Sequence, residues 1–510
     1  MKKLNTFIII SLTLIAISCG SKTPKEKTKS SQSSNRTPNI VVIYADDLGY
    51  GDVSSYGSTE LITPNFDRIA NEGIKFTNGY ATSPTCTPSR FSMLSGIYPF
   101  RSKRARVLPG NAPLLFELGK QTLPSMLHDA GYFTGVVGKW HLGLGNEGLD
   151  WNKEIKPGPR EIGFDYSYVM ASTNDRVPSV YVKNHHIDGL NPKDPIEVSY
   201  RKNFEGELTG KEHPELLKVH PSHGHDNSIH NGISRIGYMK GGKSALFIDE
   251  DMNDDFLKES VKFVNDHKDA PFFLFYSLHQ PHVPRIPHPR FVGKSGLGPR
   301  GDVILEADWA VGQFLDELDK LGLSENTIIV FSSDNGPVLD DGYHDEAETK
   351  IGKHTPKGGL RGGKYSLFDA GTHVPFMVRW PAKIKPGISE ALVCQVDLTA
   401  SFAHLVGQKN TTPDSQNILD ALIGKSTQGR ENLLLGQSNI TSYRKGDYVL
   451  IPSHKGGKIV NRWVKNETGR NKAIQLYNLK EDKSQQHNLA SQYPEMVKEM
   501  LQEIAEIKNN

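Results

Sequence analysis

The chain has few cysteines, only three among 510 residues. Proteins that rely on a disulfide scaffold carry many more, so that class is excluded. Long hydrophobic runs are also missing after the first twenty residues, where nothing approaches the roughly 20 apolar residues that span a bilayer. The 60 basic and 58 acidic residues give a net charge of +2, which gives no reason to expect nucleic acid as a partner. The body of the chain is therefore predicted to be an ordinary water-soluble globular protein.

The first nineteen residues have the pattern of an export signal. Two lysines precede a short apolar core at residues 7–17, and the core is followed by Cys19. A cysteine in this place resembles the lipidated cysteine of a bacterial lipoprotein; the alternative is a coincidental cysteine in an ordinary signal peptide or anchor. We expect residues 1–18 to be the signal peptide, Cys19 the lipidation site and residues 19–37 a flexible polar tether. The protein is then exported and lipid-anchored to a bacterial cell envelope, facing the periplasm or the cell surface.

Apolar runs of strand length alternate with helical patterns along the rest of the chain. Continuous apolar runs predict strands at residues 39–44, 271–278 and 327–331, each covered on both faces. Candidate helices are at residues 65–72, 251–266, 304–321, 395–405 and 494–507. Strands and helices in alternation predict an α/β fold with a large, mostly parallel central sheet flanked by helices.

Composition suggests how this fold is divided. We expect a catalytic domain at residues 38–391, interrupted by a long loop insertion at residues 176–244 that is rich in Gly, Pro, His, Asn and Lys. Residues 392–510 are predicted to form a smaller C-terminal α+β subdomain, because short strand-like segments there precede a final helix.

Oxygen-rich pairs follow two of the predicted strands: Asp46-Asp47 follows the first, and Asp334-Asn335 follows the third. The carboxyl ends of parallel strands meet at one edge of a sheet, so these pairs are expected to lie close together. Carboxylate and amide oxygens suit Ca²⁺, whereas Zn²⁺ prefers His and Cys. A single Asp-Asp pair is usually a loop or helix cap. Two pairs at two strand ends favour a metal site.

Residues 86–90 read Cys-Thr-Pro-Ser-Arg and carry the strongest indication of chemistry. No histidine stands beside Cys86 in the sequence to make an ordinary thiolate nucleophile. The segment resembles the maturation motif Cys-x-Pro-Ser-Arg of the formylglycine-dependent (type I) sulfatases. Further segments resemble motifs of that family in the same order: GKWHLG at 138–143, PHVP at 281–284, RGGK at 361–364 and LYNL at 476–479. The resemblance covers nearly the whole chain after the tether, is greatest to bacterial polysaccharide sulfatases, and implies the alkaline phosphatase-like fold.

The resemblance also implies a cofactor, a partner and roles for individual residues. A formylglycine-generating or anaerobic sulfatase-maturating enzyme would oxidise Cys86 to formylglycine (3-oxoalanine), whose hydrated aldehyde supplies the nucleophile. One Ca²⁺ per chain would be held by Asp46, Asp47, Asp334, Asn335 and the modified Cys86. The implied catalytic set is Cys86, Arg90, Lys139 and Lys364 for sulfate binding and attack, His282 as general acid and His141 as base. With Cys86 assigned in this way, no Cys86–Cys394 disulfide is expected, and Cys394 is predicted to be a small buried apolar residue.

Other residues are candidates for contacts with the substrate. Those predicted to bind it are His279, Thr173, His344 and Asp345. A group of histidines inside the insertion lacks the fixed spacing of metal ligands, so a solvated position or one at the substrate rim is predicted for His213, His220, His223, His225 and His230.

The predicted function is hydrolysis of sulfate esters in a sulfated polysaccharide or oligosaccharide. Algal polymers such as ulvan or sulfated galactan are favoured over host glycosaminoglycans. One alternative is a phosphoester or phosphonate hydrolase on the same fold, which is disfavoured because such enzymes use transition metals with additional Asp and His ligands. The other is an inactive glycan-binding lipoprotein, which is disfavoured because the catalytic residues are intact. The membrane is contacted only through the lipid, and nucleic acid is not a partner.

Overall fold

The computed structural model describes residues 37–509. The predicted signal peptide, Cys19 and all but the last residue of the predicted tether lie outside the described residues. Within residues 37–509, no helix combines the length and apolar character that a membrane crossing requires.

The strands and α-helices are as follows. The strands are β1 (Asn39–Ala45), β2 (Ile74–Tyr80), β3 (Phe133–Lys139), β4 (Tyr166–Met170), β5 (Tyr181–Lys183), β6 (His186–Ile187), β7 (Glu197–Ser199), β8 (Ile229–His230), β9 (Ile233–Ser234), β10 (Tyr238–Lys240), β11 (Phe272–Ser277), β12 (Thr327–Ser333), β13 (Phe376–Arg379), β14 (Gly387–Cys394), β15 (Asn432–Gln437), β16 (Ile440–Lys445), β17 (Tyr448–Ile451) and β18 (Gln475–Asn478). The α-helices are α1 (Pro64–Asn71), α2 (Cys86–Ser95), α3 (Leu123–Asp129), α4 (Met252–His267), α5 (Gly298–Lys320), α6 (Leu398–Leu405), α7 (Leu419–Leu422) and α8 (Pro494–Asn509).

A ten-stranded central sheet has the strand order β14-β2-β13-β12-β1-β11-β3-β4-β5-β6. The run β12-β1-β11-β3-β4 is parallel, and β13 is antiparallel to both of its neighbours. This large, mostly parallel sheet confirms the predicted fold class. Its central strand β1 pairs with β11 on one side and β12 on the other, so the carboxyl ends of three predicted strands lie side by side.

Alternate residues of β1 belong to two different apolar cores. Ile40, Val42 and Tyr44 pack in one core with α3, α6 and α7, whereas Val41 and Ile43 pack in the other with α1, α4 and α5. Helices therefore cover both faces of the sheet, which explains why the strand sequences are continuously apolar rather than alternating.

The predicted loop insertion at 176–244 and the C-terminal part contain more structure than the sequence analysis assigned. Strands β5 and β6 extend the central sheet, and two small antiparallel sheets are formed by β7 with β10 and by β8 with β9. In the C-terminal part, an antiparallel sheet of β15 to β18 packs with α8 around a separate apolar core. The predicted boundary at residue 392 falls inside β14, which belongs to the central sheet. Cys394 is free and fully buried, as predicted.

Candidate active site

Polar residues converge where the central parallel strands end. Asp46 and Asp47 directly follow β1, and Asp334 and Asn335 directly follow β12. Because β1 and β12 are neighbours in register, the two pairs meet: the backbone N–H of Asp47 donates to Asp334 Oδ1 at 3.3 Å, and Asn335 Nδ2 donates to Asp47 Oδ1 at 2.7 Å. All four side chains are completely buried.

Cys86 is the first residue of α2, and every residue of this helix is buried. Its Sγ lies 3.3 Å from His141 Nδ1. The other ring nitrogen of His141 lies 2.9 Å from the carbonyl oxygen of Leu108, which only accepts hydrogen bonds, so Nε2 carries the hydrogen and the lone pair of Nδ1 faces Cys86. Burial and the charge of Lys139 lower the pKa of His141 well below 6.5, so the ring is neutral at pH 7. The fold thus supplies Cys86 with the base that its sequence neighbours lack.

Three buried cations surround the carboxylates. Arg90 donates from Nε to Asp334 Oδ2 at 2.8 Å, and its Nη2 forms an ion pair with the same oxygen at 2.8 Å. Lys139, the last residue of β3, contacts Asp46. Lys364 Nζ lies 2.8 Å from Asp47 Oδ2 and 2.8 Å from Asp341 Oδ2. These contacts bring the predicted sulfate-binding cations together around Cys86.

The same cluster has the donor set for a hard cation. Two buried oxygens, Asp46 Oδ1 and Asn335 Oδ1, have no hydrogen-bond partner among the described residues. Burial raises the pKa of both Asp46 and Asp47, and the Asp334 carboxylate raises each of them further. Ligand atoms of Asp46, Asp47 and His282 also lie within 4.8 Å of one another. Buried, unpartnered oxygens among mutually repelling carboxylates fit Ca²⁺, and the oxygen-rich set fits it better than a set that includes the His282 nitrogen.

Two histidines of the loop after β11 lie beside this cluster. His282 Nε2 is 4.0 Å from Asp47 Oδ2, and its Nδ1 is 2.6 Å from the carbonyl oxygen of Val283. Burial and the charges of Lys364 and Lys139 lower the pKa of His282 well below 6.5. His279 is buried with no partner for its Nδ1 among the described residues, and burial with the Lys139 charge lowers its pKa to about 3.

A cavity of about 190 Å³ opens above Cys86, His282 and Lys364. Its wall also includes six residues that the sequence analysis did not place in the catalytic set: Asp175, Arg176, His223, His225, Asp341 and Tyr365. Two of them, His223 and His225, belong to the histidine group predicted to be solvated or at the substrate rim. The other three histidines of that group do not line this cavity.

Asp175 organises the polar side of the cavity. It binds Arg176 Nη1 at 2.8 Å and His225 Nε2 at 3.0 Å. Burial raises the pKa of Asp175, but the charge of Arg176 and the hydrogen bond from His225 outweigh it and hold the pKa well below 3.8. The adjacent residues Asp175 and Arg176 were a weak signal in the sequence, because an Asp-Arg pair is usually an exposed ion pair.

None of the four predicted substrate-binding residues lines the cavity. The hydroxyl of Thr173 bonds to Asp175 and accepts from Arg176 Nη1 at 2.7 Å. Asp345 accepts from the buried Arg285 at 2.8 Å, and His344 is exposed. His279 lies deeper, against Phe256, with the ring centroids 5.9 Å apart. Their role in binding substrate stays a prediction.

Comparison with known proteins identifies the family. The sequence profile described as Sulfatase matches residues 38–408. The chain belongs to the sulfatase family. An N-acetylgalactosamine-6-O-sulfatase of Bacteroides thetaiotaomicron is 49% identical over 496 residues, which are 96% of this chain and 96% of that protein. Human arylsulfatase A is 28% identical over 93% of this chain and 87% of that protein.

A solved structure from work on glycosaminoglycan metabolism by Bacteroides thetaiotaomicron superimposes on this sulfatase with a TM-score of 0.91. The two chains share 49% identity, and the matched region covers 93% of this chain and 100% of the solved chain. The predictions of a sulfatase enzyme and of the alkaline phosphatase-like sulfatase fold are therefore confirmed.

Proposed function

We propose that this sulfatase removes the 6-O-sulfate of N-acetylgalactosamine, or of a closely similar amino sugar, in a sulfated saccharide. The relative that is 49% identical over nearly the full length of both chains is named for this reaction. That name, and the glycosaminoglycan context of the solved structure at 49% identity, support an amino sugar of the glycosaminoglycan type over the algal polymers predicted from the sequence.

One observation carries the chemistry: Cys86 lies between a neutral base and buried cations at the base of a small cavity. His141 Nδ1 points at position 86 from 3.3 Å, and Lys139, Lys364 and Arg90 surround the adjoining carboxylates. A sulfate ester carries negative charge that grows on the leaving oxygen as the ester bond breaks, so preorganised cations stabilise the transition state more than the ground state.

The thiol of Cys86 is not suited to attack sulfur as it stands. Burial raises its pKa, and the opposing charges of Lys139 and Lys364 do not reverse this, so the side chain stays a protonated thiol at pH 7. A hydroxyl nucleophile at this position, as the formylglycine form of Cys86 would supply, accounts for a base facing position 86. This proposal includes a formylglycine-generating or anaerobic sulfatase-maturating enzyme as partner.

Ca²⁺ is the proposed cofactor, one ion per chain. Asp46, Asp47, Asp334 and Asn335 would hold it, together with an oxygen at position 86, because two of their buried oxygens have no partner among the described residues. When bound, the ion would supply positive charge that lowers the pKa of a coordinated hydroxyl and neutralises sulfate oxygens.

His282 and Lys364 are proposed to deliver the proton to the leaving alcohol. Although burial lowers the pKa of Lys364, the Asp341 and Asp47 carboxylates outweigh it and hold the pKa well above 10.5, so Lys364 keeps its proton. The pKa of His282 is low without substrate, and the negative charge of a bound sulfate raises it. His282 then acts as the general acid, with Lys364 beside it, and His141 acts as the base that accepts a proton from the group at position 86.

We also propose that the protein is exported and attached to the bacterial cell envelope through lipid on Cys19. The pattern of residues 1–19 supports this proposal. Labelling with a radioactive fatty acid would test it, and loss of the label in Cys19→Ala is expected.

Sulfate release from defined sugars tests the function. The full chain, co-produced with a formylglycine-generating enzyme, is incubated with N-acetylgalactosamine 6-sulfate, its 4-sulfate isomer, N-acetylglucosamine 6-sulfate and a sulfated galactan oligosaccharide. We expect release from the first sugar, none from the 4-sulfate, and none by Cys86→Ala. Release from the galactan alone would overturn the proposed substrate.

A further inference from the structure

A hairpin from the C-terminal part forms the outer wall of the active-site cavity. It covers residues 458–468, between β17 and β18, and is called the rim hairpin below. Its two arms are joined by backbone hydrogen bonds from Val460 N to Asn466 O at 2.9 Å and from Thr468 N to Lys458 O at 2.8 Å. Three of its residues line the cavity: Val460, Asn461 and Val464.

Hydrogen bonds hold the rim hairpin in place both within its turn and at its base. Inside the turn, Asn461 Oδ1 accepts from Trp463 N at 2.9 Å and from Val464 N at 2.8 Å. At its base, Asn466 Nδ2 donates to the carbonyl oxygen of Lys364 at 3.1 Å. The hairpin is therefore an ordered part of the site.

A stack leads from the cavity to the surface. The ring of His223, which lines the cavity, stacks on Trp463 with centroids 4.6 Å apart and planes 12° from parallel. The Arg462 guanidinium carbon lies 4.1 Å from the centroid of the Trp463 ring. Stacking on an aromatic ring holds a guanidinium in place while leaving its N–H donors available at the ring edge. Arg462 is thus an oriented cation next to Asn461, which lines the cavity.

Arg462 is exposed and has no carboxylate partner among residues 37–509. Its neighbours differ: Lys465 pairs with Glu348 at 2.7 Å, and Glu467 pairs with Arg361 at 2.6 Å. Inside the cavity, Arg176 and Lys364 already pair with Asp175 and Asp341. A second negative group on the substrate would therefore meet an unpaired guanidinium at the rim hairpin, whereas the cations inside the cavity are already paired.

The size of the cavity places the rest of a longer substrate at this rim. Its volume of about 190 Å³ is below the ~300–1,000 Å³ of sites that enclose larger ligands, so the sulfated sugar enters and its neighbour stays outside. We propose that Arg462, oriented by Trp463, binds a carboxylate or sulfate on the sugar next to the one that is desulfated. This inference rests on the proposed function, and it makes the preferred substrate an oligosaccharide with at least two acidic groups.

The test compares kcat/KM for N-acetylgalactosamine 6-sulfate with that for a disaccharide that adds a uronic acid next to it. In Arg462→Gln we expect the disaccharide-to-monosaccharide ratio to fall about fivefold, through KM, as for an exposed charge pair. Arg462→Lys restores part of the ratio. The matched control is Lys472→Gln, which removes an exposed cation outside the rim hairpin and should leave the ratio unchanged.

Two further substrates identify the anion. The first is the disaccharide with its carboxylate reduced to an alcohol, and the second carries a sulfate in place of the carboxylate. For the reduced disaccharide, the disaccharide-to-monosaccharide ratio of kcat/KM should be the same in the wild-type enzyme and in Arg462→Gln. The affinity for either charged disaccharide should be lower in the variant than in the wild type. Raising the ionic strength from about 0.01 M to 0.15 M shortens the screening length from about 30 Å to about 8 Å, and should lower the wild-type ratio more than that of Arg462→Gln.

Binding to catalytically inactive protein separates this inference from the proposed function. Calorimetric titration of the disaccharide into Cys86→Ala, with and without Arg462→Gln, needs no turnover. A loss of binding of about fivefold in the double variant supports the rim site even if no sulfate release is seen with the converted enzyme. Equal affinity in the two proteins, or equal losses of kcat/KM on both substrates, overturns it.

Discussion

The side-chain amide of Asn466 donates a hydrogen bond to the backbone carbonyl oxygen of Lys364 at 3.1 Å. One residue belongs to the rim hairpin and the other to the cation cluster around Cys86, about a hundred positions earlier in the chain. The contact is tight, because a Cβ atom on the neighbouring Gly363 would lie 2.7 Å from Asn466 Nδ2. The position of Lys364 therefore depends on a segment outside the central sheet.

Replacing Asn466 by alanine should weaken both the fold and the catalytic site. The buried carbonyl of Lys364 loses its donor, which costs about 1–3 kcal/mol of unfolding free energy. Activity should fall on the monosaccharide and on longer substrates alike, since Lys364 itself is displaced. Urea unfolding and kcat/KM on both substrates measure the two effects. Asn471→Ala is the control, because its side chain is exposed and bonds locally to Ala473 N; equal effects of the two variants would contradict the prediction.

His141→Ala should lower kcat by about 10²- to 10⁴-fold, the range for loss of a general base. The reason is the orientation of its ring, whose Nδ1 lone pair faces position 86 while Nε2 is bound to Leu108 O. Steady-state kinetics on fully converted enzyme measures the change. His128→Ala serves as control because that side chain is about half exposed. A kcat within about threefold of wild type would remove His141 from the proposed role.

Chelation should destabilise the protein, and Ca²⁺ should restore it. At free Ca²⁺ about a hundredfold above its Kd, binding to the folded state adds about 2.7 kcal/mol of stability. Thermal unfolding after EDTA treatment, with and without added Ca²⁺, measures this without any activity assay. Asp46→Asn should lose the Ca²⁺-dependent shift, whereas Asp269→Asn, at an exposed position, should keep it. A shift of the same size in both variants would place the ion elsewhere.

Asp52→Asn should cost about 3–5 kcal/mol, as for removal of one partner from a buried ion pair. Asp52 binds Arg300 at 2.7 and 2.6 Å, His354 Nε2 at 2.8 Å and the N–H of Gly49 at 2.7 Å, close in sequence to the proposed metal ligands Asp46 and Asp47. The exposed Asp316, paired with Arg68, is the control, and its Asp→Asn change should cost at most about 1 kcal/mol. Urea unfolding at pH 7 compares the two variants, and similar losses would refute the expectation.

The same carboxylate gives a pH dependence. Burial raises the pKa of Asp52, but Arg300 and His354 outweigh it, so the folded pKa lies below 3.8. The unfolded chain then binds more protons than the folded one in acid, and the contribution of Asp52 is complete above pH 3.8 and lost as the pH falls below it. The difference in stability between wild type and Asp52→Asn should therefore shrink below pH 3.8, as measured by unfolding across the acid range.

The central elements were predictable because their signals are local. The strand predicted at 327–331 is observed as Thr327–Ser333, and the helix predicted at 251–266 as Met252–His267. Helix α5, the longest helix within residues 37–509, begins at Gly298, six residues before its predicted start, because its apolar periodicity begins late. Pro299 lies in the first turn of this helix, where proline is common, and it indicates the observed start better than the apolar periodicity does.

The inner site was predictable for a similar reason, and the outer site was not. Cys86 and Arg90 lie four residues apart on one helix, and the oxygen pairs follow two adjacent strands, so short motifs specify them. Asp175 meets His225 from fifty positions away, across a segment with little periodicity. No sequence pattern specifies such a contact, because it depends on how several loops pack together.

The profile match ends at residue 408, yet part of the cavity wall lies at residues 460–464. The residues proposed to break the ester and the rim residue proposed to bind the neighbouring sugar thus come from different stretches of sequence. Apart from Asn466, which bonds to Lys364, residues of the rim hairpin can be substituted without loss of a contact to Cys86 or its cations. Relatives that share the same hydrolytic centre can in this way diverge in the polymers they accept, and exchanging residues 458–468 between two of them is a direct route to altered preference.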